Sequence, residues 1–197
     1  MTTRRQFIHT SLALAALPSA AFGATSAATK SRALPLERFV FDRRFAAAAE
    51  VARHVAARGV PLSAIAGDLT DLWYHELDLR WKRAPEPLAG ITTRQGLFVL
   101  ETLAADQRMR VVYRGEHRTA VDGRVSHALA GPDELVARIG EAPRGRVWAT
   151  LGVALVECPA AARLAAAREL TNAATAAPLG EPLCSWIIAP RVATATI

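Results

Sequence analysis

The feature that most restricts the fold is a helical stretch held between two short apolar runs by tight connections. Arg38-Phe39-Val40-Phe41, led in by Leu34-Pro35-Leu36, reads as a strand, and Arg43 to Arg58 is alanine-rich and helical by propensity. Gly59 closes that helix, and Val60-Pro61-Leu62-Ser63-Ala64-Ile65-Ala66 reads as a strand ending at Gly67-Asp68. Connections this short around a helix predict a parallel strand pair. A second unit follows: strand Leu88–Ile91, helix Thr93–Ala105 with Leu97, Leu100, Leu103 and Ala104 on one face, and strand Met109–Arg114. Thr92 followed by Gln95 suits a capping box at that helix start.

The last third is less regular. Gly131-Pro132-Asp133-Glu134 opens a short helix ending at Gly140. Val147–Val156 is apolar throughout and suits a buried strand, and Pro159–Ala177 is alanine-rich and suits a helix. Leu183–Ile188 reads as a last strand, for which Pro190 allows an edge position. The expectation is an α/β fold: a single three-layer domain over 35–197, with a mostly parallel sheet of about five to seven strands and helices on both faces.

The N-terminus carries a different signal. Thr3-Arg4-Arg5-Gln6-Phe7-Ile8-His9 precedes Leu12-Ala13-Leu14-Ala15-Ala16-Leu17, then Pro18 and the small residues Ser19 to Ala24. This order resembles a twin-arginine (Tat) signal peptide, with His9 where lysine is usual. The apolar stretch is far shorter than the roughly 20 residues of a membrane-spanning helix, so a removed signal over 1–23 is expected rather than a permanent anchor. Cleavage after Ala21, Gly23 or Ala27 fits, and 24–34 reads as a flexible spacer. The resemblance implies the Tat export machinery as a partner and a periplasmic location. It also implies folded cargo: a protein that takes a ligand early, or one that travels with a cofactor-bearing exported oxidoreductase.

Charge excludes less than it first suggests. The chain of 197 residues has a net charge of +6, but Lys30 and Lys82 are its only lysines and the arginines are scattered. Removing Arg4 and Arg5 leaves about +4, with no basic run or nucleic-acid motif, so nucleic acid is not an expected partner. Cys158 and Cys184 are too few for a disulfide scaffold, although they could pair in an oxidising compartment, and neither belongs to a Cys-x-x-Cys.

In a parallel sheet, ligands sit beyond the carboxyl ends of the strands. Those positions are Asp42 and Arg43, Asp68 and Thr70, Thr92, Thr93 and Arg94, and Glu116 and His117. Asp42 and Thr92 also suit helix N-caps. Thr92-Thr93-Arg94-Gln95-Gly96 at a helix start suits a small anionic ligand. Between the two units, Gly67–Trp81 concentrates tryptophan, tyrosine, histidine and acids, so Trp73, Tyr74 and His75 are candidate lid residues, with sheet packing as the plainer role.

No nucleophile elbow, dinucleotide loop, phosphate loop or haem-attachment motif occurs, so no cofactor is named. His75, His117 and His127 with neighbouring acids have metal-donor chemistry but no ligand spacing, and no metal is assigned. Two functions remain: an exported small-ligand-binding or accessory protein, and a small periplasmic enzyme drawing acid–base groups from Asp42, Asp68, His75 and His117.

Overall fold

A computed structural model of the chain describes residues 33–160, 166–172 and 181–191. The signal-peptide expectation falls on residues 1–23, outside those described.

Seven strands form one sheet: β1 (Arg38–Asp42), β2 (Leu62–Ile65), β3 (Leu88–Thr93), β4 (Met109–Thr119), β5 (Val125–Gly131), β6 (Ala166–Asn172) and β7 (Leu183–Pro190). Their order is β2-β1-β3-β7-β4-β5-β6. β1 runs parallel to β2 and to β3, whereas β3–β7, β7–β4, β4–β5 and β5–β6 are antiparallel. The α/β class and the single sheet are as expected; a mostly parallel sheet is not. Only two of the six pairings are parallel, because β7 returns from the end of the chain and inserts between β3 and β4.

That insertion has a clear cause. Leu183–Ala189 is an unbroken buried run with nothing polar to turn towards water except Ser185, so it needs cover on both faces and neighbours on both edges. An edge position would leave that run half exposed. The first unit does form a parallel pair through α1 (Ala46–Ala56), which buries Ala48, Val51, Ala52 and Val55 at helical spacing.

Two further expectations are corrected. Val147–Val156 is helix α6, and within Pro159–Ala177 the residues Ala166–Asn172 form strand β6 rather than helix. A short apolar run has no period that separates strand from helix, and alanine's helix propensity is a weak preference that pairing with β5 overrides.

Alternate strand residues enter two cores. Phe39, Ala89 and Ile187 pack with α1, α5 (Asp133–Gly140) and α6, while Val40, Leu88 and Trp186 pack with α4 (Arg94–Asp106) and with Leu77 and Trp81. Helices therefore cover both faces. In β4 the register shifts between Val111 and Tyr113, a bulge that sends Met109 and Val111 to the α4 side but Val112 and Tyr113 to the α6 side.

From Thr70 to Arg83 the chain is helical, in three pieces. α2 (Thr70–Leu72) leads into a π-helical turn (Trp73–Leu77), then α3 (Asp78–Arg83). No described helix is long and apolar enough to cross a membrane.

Candidate functional site

β1, β2 and β3 run one way, and β4, antiparallel to the antiparallel β7, runs the same way. Their carboxyl ends therefore share one edge of the sheet, with β7 standing between the third and the fourth. The residues proposed from that geometry do not, however, form one cluster.

Asp42 is fully buried and belongs to an ion pair. Arg44 donates its backbone N–H (3.1 Å), Nε (2.9 Å) and Nη2 (2.6 Å) to the carboxylate. The N-cap of α1 is instead Phe45, which makes no side-chain cap hydrogen bond. The Arg44 guanidinium lies over Gly67, where a Cβ would meet its Cζ at 2.6 Å, and Gly67 sits at φ +87°. This glycine is thus required twice, by contact and by backbone.

Thr92 is buried and accepts a hydrogen bond from Trp186 Nε1 at 3.1 Å. The cap of α4 is the next residue, Thr93, whose Oγ1 accepts from the Gly96 N–H at 3.2 Å. The capping box at Thr92 is therefore corrected by one position. Arg94 is exposed and stands 3.9 Å from Glu116.

The others meet around the π turn. Its consecutive residues divide between two grooves. One, of about 740 Å³, runs between β2 and the helical segment, lined by Arg38, Arg43, Leu62–Ala66, Asp68, Asp71, Leu72, His75 and Glu76. The other, of about 320 Å³, lies between the segment and α4, with Thr70, Trp73, Tyr74, Gln95 and Gly96 among its lining. Asp68 borders both. A π turn inserts one extra residue per turn, which lets neighbouring side chains splay to opposite sides, and such turns occur often at functional sites.

Asp68 accepts from the Thr70 N–H (2.8 Å) and hydroxyl (2.7 Å), which hold its carboxyl below the usual range. Arg38 is engaged by Glu37, Glu76 and Ser63. Arg43, Asp71 and His75 make no side-chain hydrogen bond or ion pair among the described residues, so their charge and hydrogen-bonding capacity face the groove unspent. No group of three histidine, cysteine or acidic side chains stands together as metal ligands among the described residues.

His117 lies on the other face of the sheet, in a buried network. Its Nε2 is 2.7 Å from Ser185 Oγ, its Nδ1 is 2.7 Å from His127 Nδ1, and Tyr113 OH is 3.2 Å from Ser185 Oγ. Trp148 of α6 packs edge-on against both imidazoles, at 5.0 and 5.3 Å between ring centres. His127 Nε2 is buried without a partner among the described residues.

Burial pushes His117 well below the ordinary imidazole value, with His127 adding to the shift, and pushes His127 down to about 4. Both rings are therefore neutral, and one N–H lies between the two Nδ1 atoms. A hydroxyl next to an imidazole next to a third group has the order of a nucleophilic triad, but Ser185 is wholly enclosed and no substrate reaches it. Its place is in the core: Ser185 Oγ and Tyr113 OH crowd over Gly115, where a Cβ would stand 2.5 Å from that Oγ.

The sequence reading missed Tyr113, His127 and Ser185 as partners. Tyr113, Gly115 and His117 do alternate, but the bulge just before them decides which face they take. Arg38, Asp71 and Glu76 were not put forward as ligand residues because none stands beyond the carboxyl end of a strand.

Cys158 and Cys184 are unpaired and lie in the two different cores, separated by the sheet, so the disulfide considered above does not form. Burial pushes their thiols up to about 12 and about 11.

Compared with protein-family models, curated proteins and solved structures, the chain matches none.

Proposed function

We propose that this chain is an exported, periplasmic ligand-binding protein whose site is the pair of grooves on either side of the π turn. The observation that carries the reading is the unspent set Arg43, Asp71 and His75 around one groove, beside the aromatic Trp73 and Tyr74 of the other. A site that holds, among the described residues, one unpaired guanidinium and one unpaired carboxylate suits a small ligand that carries both an acidic and a basic group. A purely anionic ligand at Arg94 has less support, since Glu116 already stands beside that guanidinium.

An enzyme using Asp42, Asp68, His75 and His117 together also has less support. Asp42 is spent on Arg44 and His117 lies across the sheet, leaving Asp68 and His75 as the groove's own pair. An accessory role beside a cofactor-bearing exported oxidoreductase is favoured by one observation. Tyr74, Leu79, Phe98 and Val99 are large apolar side chains exposed on the π turn, α3 and α4.

The test is thermal denaturation of the leader-free protein with dicarboxylates, phosphate, amino acids and polyamines in turn. A ligand with both charges should raise the Tm, and the rise should vanish in Arg43→Ala/Asp71→Ala. If no compound in the set shifts the wild type, the reading fails.

A further inference from the structure

One wall of the larger groove is the edge strand β2. The carbonyls of Pro61 and Ile65 accept from the N–H groups of Phe39 on β1 and of Arg43, the residue after that strand. In a parallel ladder the alternate residues then turn their own N–H and C=O away, which places those of Leu62, Ala64 and Ala66 on the outer edge. The same three residues are exposed, whereas Ser63 is half-buried and Ile65 is buried. Among the described residues β2 pairs with β1 alone and ends the sheet.

The groove follows this edge without a gap, since Leu62, Ser63, Ala64, Ile65 and Ala66 all line it. Five residues of strand span about 17 Å at about 3.3 Å each. The opposite wall is helical, formed by Asp71, Leu72, His75 and Glu76.

We propose that this groove takes an extended peptide, which adds to β2 as a further strand of the sheet under the π turn. The peptide carries a basic side chain opposite Asp71 and an acidic group opposite Arg43. This proposal rests on the reading of the groove as a ligand site and names its ligand class. An open edge beside a helix supplies main-chain hydrogen bonds for affinity, and the side chains along the helix read every second residue of the guest.

The charges select the guest. Asp68, Asp71 and Glu76 face Arg38 and Arg43, and Arg38 is already held by Glu37 and Glu76. The helical wall is therefore acidic, in a chain whose net charge is +6. A second copy of the chain fits poorly, because two β2 edges related by a two-fold would oppose acidic wall to acidic wall.

The test uses a dansyl-labelled hexapeptide of alternating lysine and valine with a free carboxylate, titrated into the leader-free protein. Three controls accompany it: the same peptide N-methylated at alternate amides, a glutamate-for-lysine version, and the small-ligand set described above. The protein variants are Ala64→Pro, which removes one outward N–H without touching the β1 ladder, and Asp71→Lys at an exposed position.

Binding should be saturable, and weaker by about tenfold or more with the N-methylated peptide, the glutamate peptide and each variant. If N-methylation leaves affinity unchanged, strand addition is wrong; that arm and Asp71→Lys stand even where Ala64→Pro fails to fold. If the peptide does not bind while a small ligand shifts the Tm, this proposal falls and the ligand-site reading stands. If neither binds, both fall. A wild-type dimer in sedimentation that Ala64→Pro dissolves would give the edge to a second copy and overturn the peptide.

Discussion

Single residues of this protein answer to two kinds of constraint, contact and charge, and Gly67 shows the first. It combines a left-handed backbone with the Arg44 guanidinium packed where a side chain would begin. Gly67→Ala should therefore cost about 1–3 kcal/mol, read as a lower urea midpoint at unchanged m-value. A cost below about 0.5 kcal/mol would mean that Arg44 swings away freely.

His117 and His127 show the second constraint. Both are held below the free-imidazole value of 6.5, so the unfolded chain binds more protons than the folded one in acid. The stability from keeping them neutral is complete above 6.5 and is lost as pH falls below it, for His127 towards about 4. Urea unfolding followed from pH 7.5 downwards should show stability declining through that window, and a flat profile would refute the buried neutral pair. The sequence marked Gly67-Asp68 as the end of a strand, because such residues bound strands. It held no sign of Arg44, since an arginine side chain reaches its partner through the fold and not through spacing.

Among the elements, the start of α4 separates two adjacent threonines by role. Thr93 caps the helix and Thr92 holds the indole N–H of Trp186. Thr93→Ala should cost about 1 kcal/mol through the helix end. Thr92→Val should cost about 1–3 kcal/mol, because it keeps shape but leaves a buried donor unpaired. Near-ultraviolet circular dichroism tells them apart: only Thr92→Val should alter the tryptophan signal. From sequence the cap fell one residue early, as a strand running directly into a helix has no spacer to mark the boundary. α4 was legible because Leu97, Leu100 and Ala104 recur on one face, α1 through its alanine content and α5 through Pro132 at its start. α6 and β6 were not: one is apolar on every side, and the other is an alanine-rich segment whose state is set by the strand it pairs with.

For the whole molecule, the sheet divides the interior into two separate cores, and the cysteines report on each. Cys158 in one and Cys184 in the other should both resist a thiol reagent at neutral pH in the native protein and react together on denaturation. Reaction of one thiol well before the other would show that one core opens independently. The sequence alone determined the existence of most elements, the parallel first unit and the end of β2 ahead of Gly67-Asp68, because these depend on neighbours within a few residues. It also put forward Arg43, Asp68, Thr70, Trp73, Tyr74 and His75 as candidates, and these line the two grooves beside the π turn. Only the tertiary structure decided that β7 enters between β3 and β4, that a bulge turns His117 away from the rim, and that an edge strand and a helix enclose a groove. Those outcomes depend on which distant segments bury each other's apolar surface and satisfy each other's backbone, and a chain read in order carries no record of that competition.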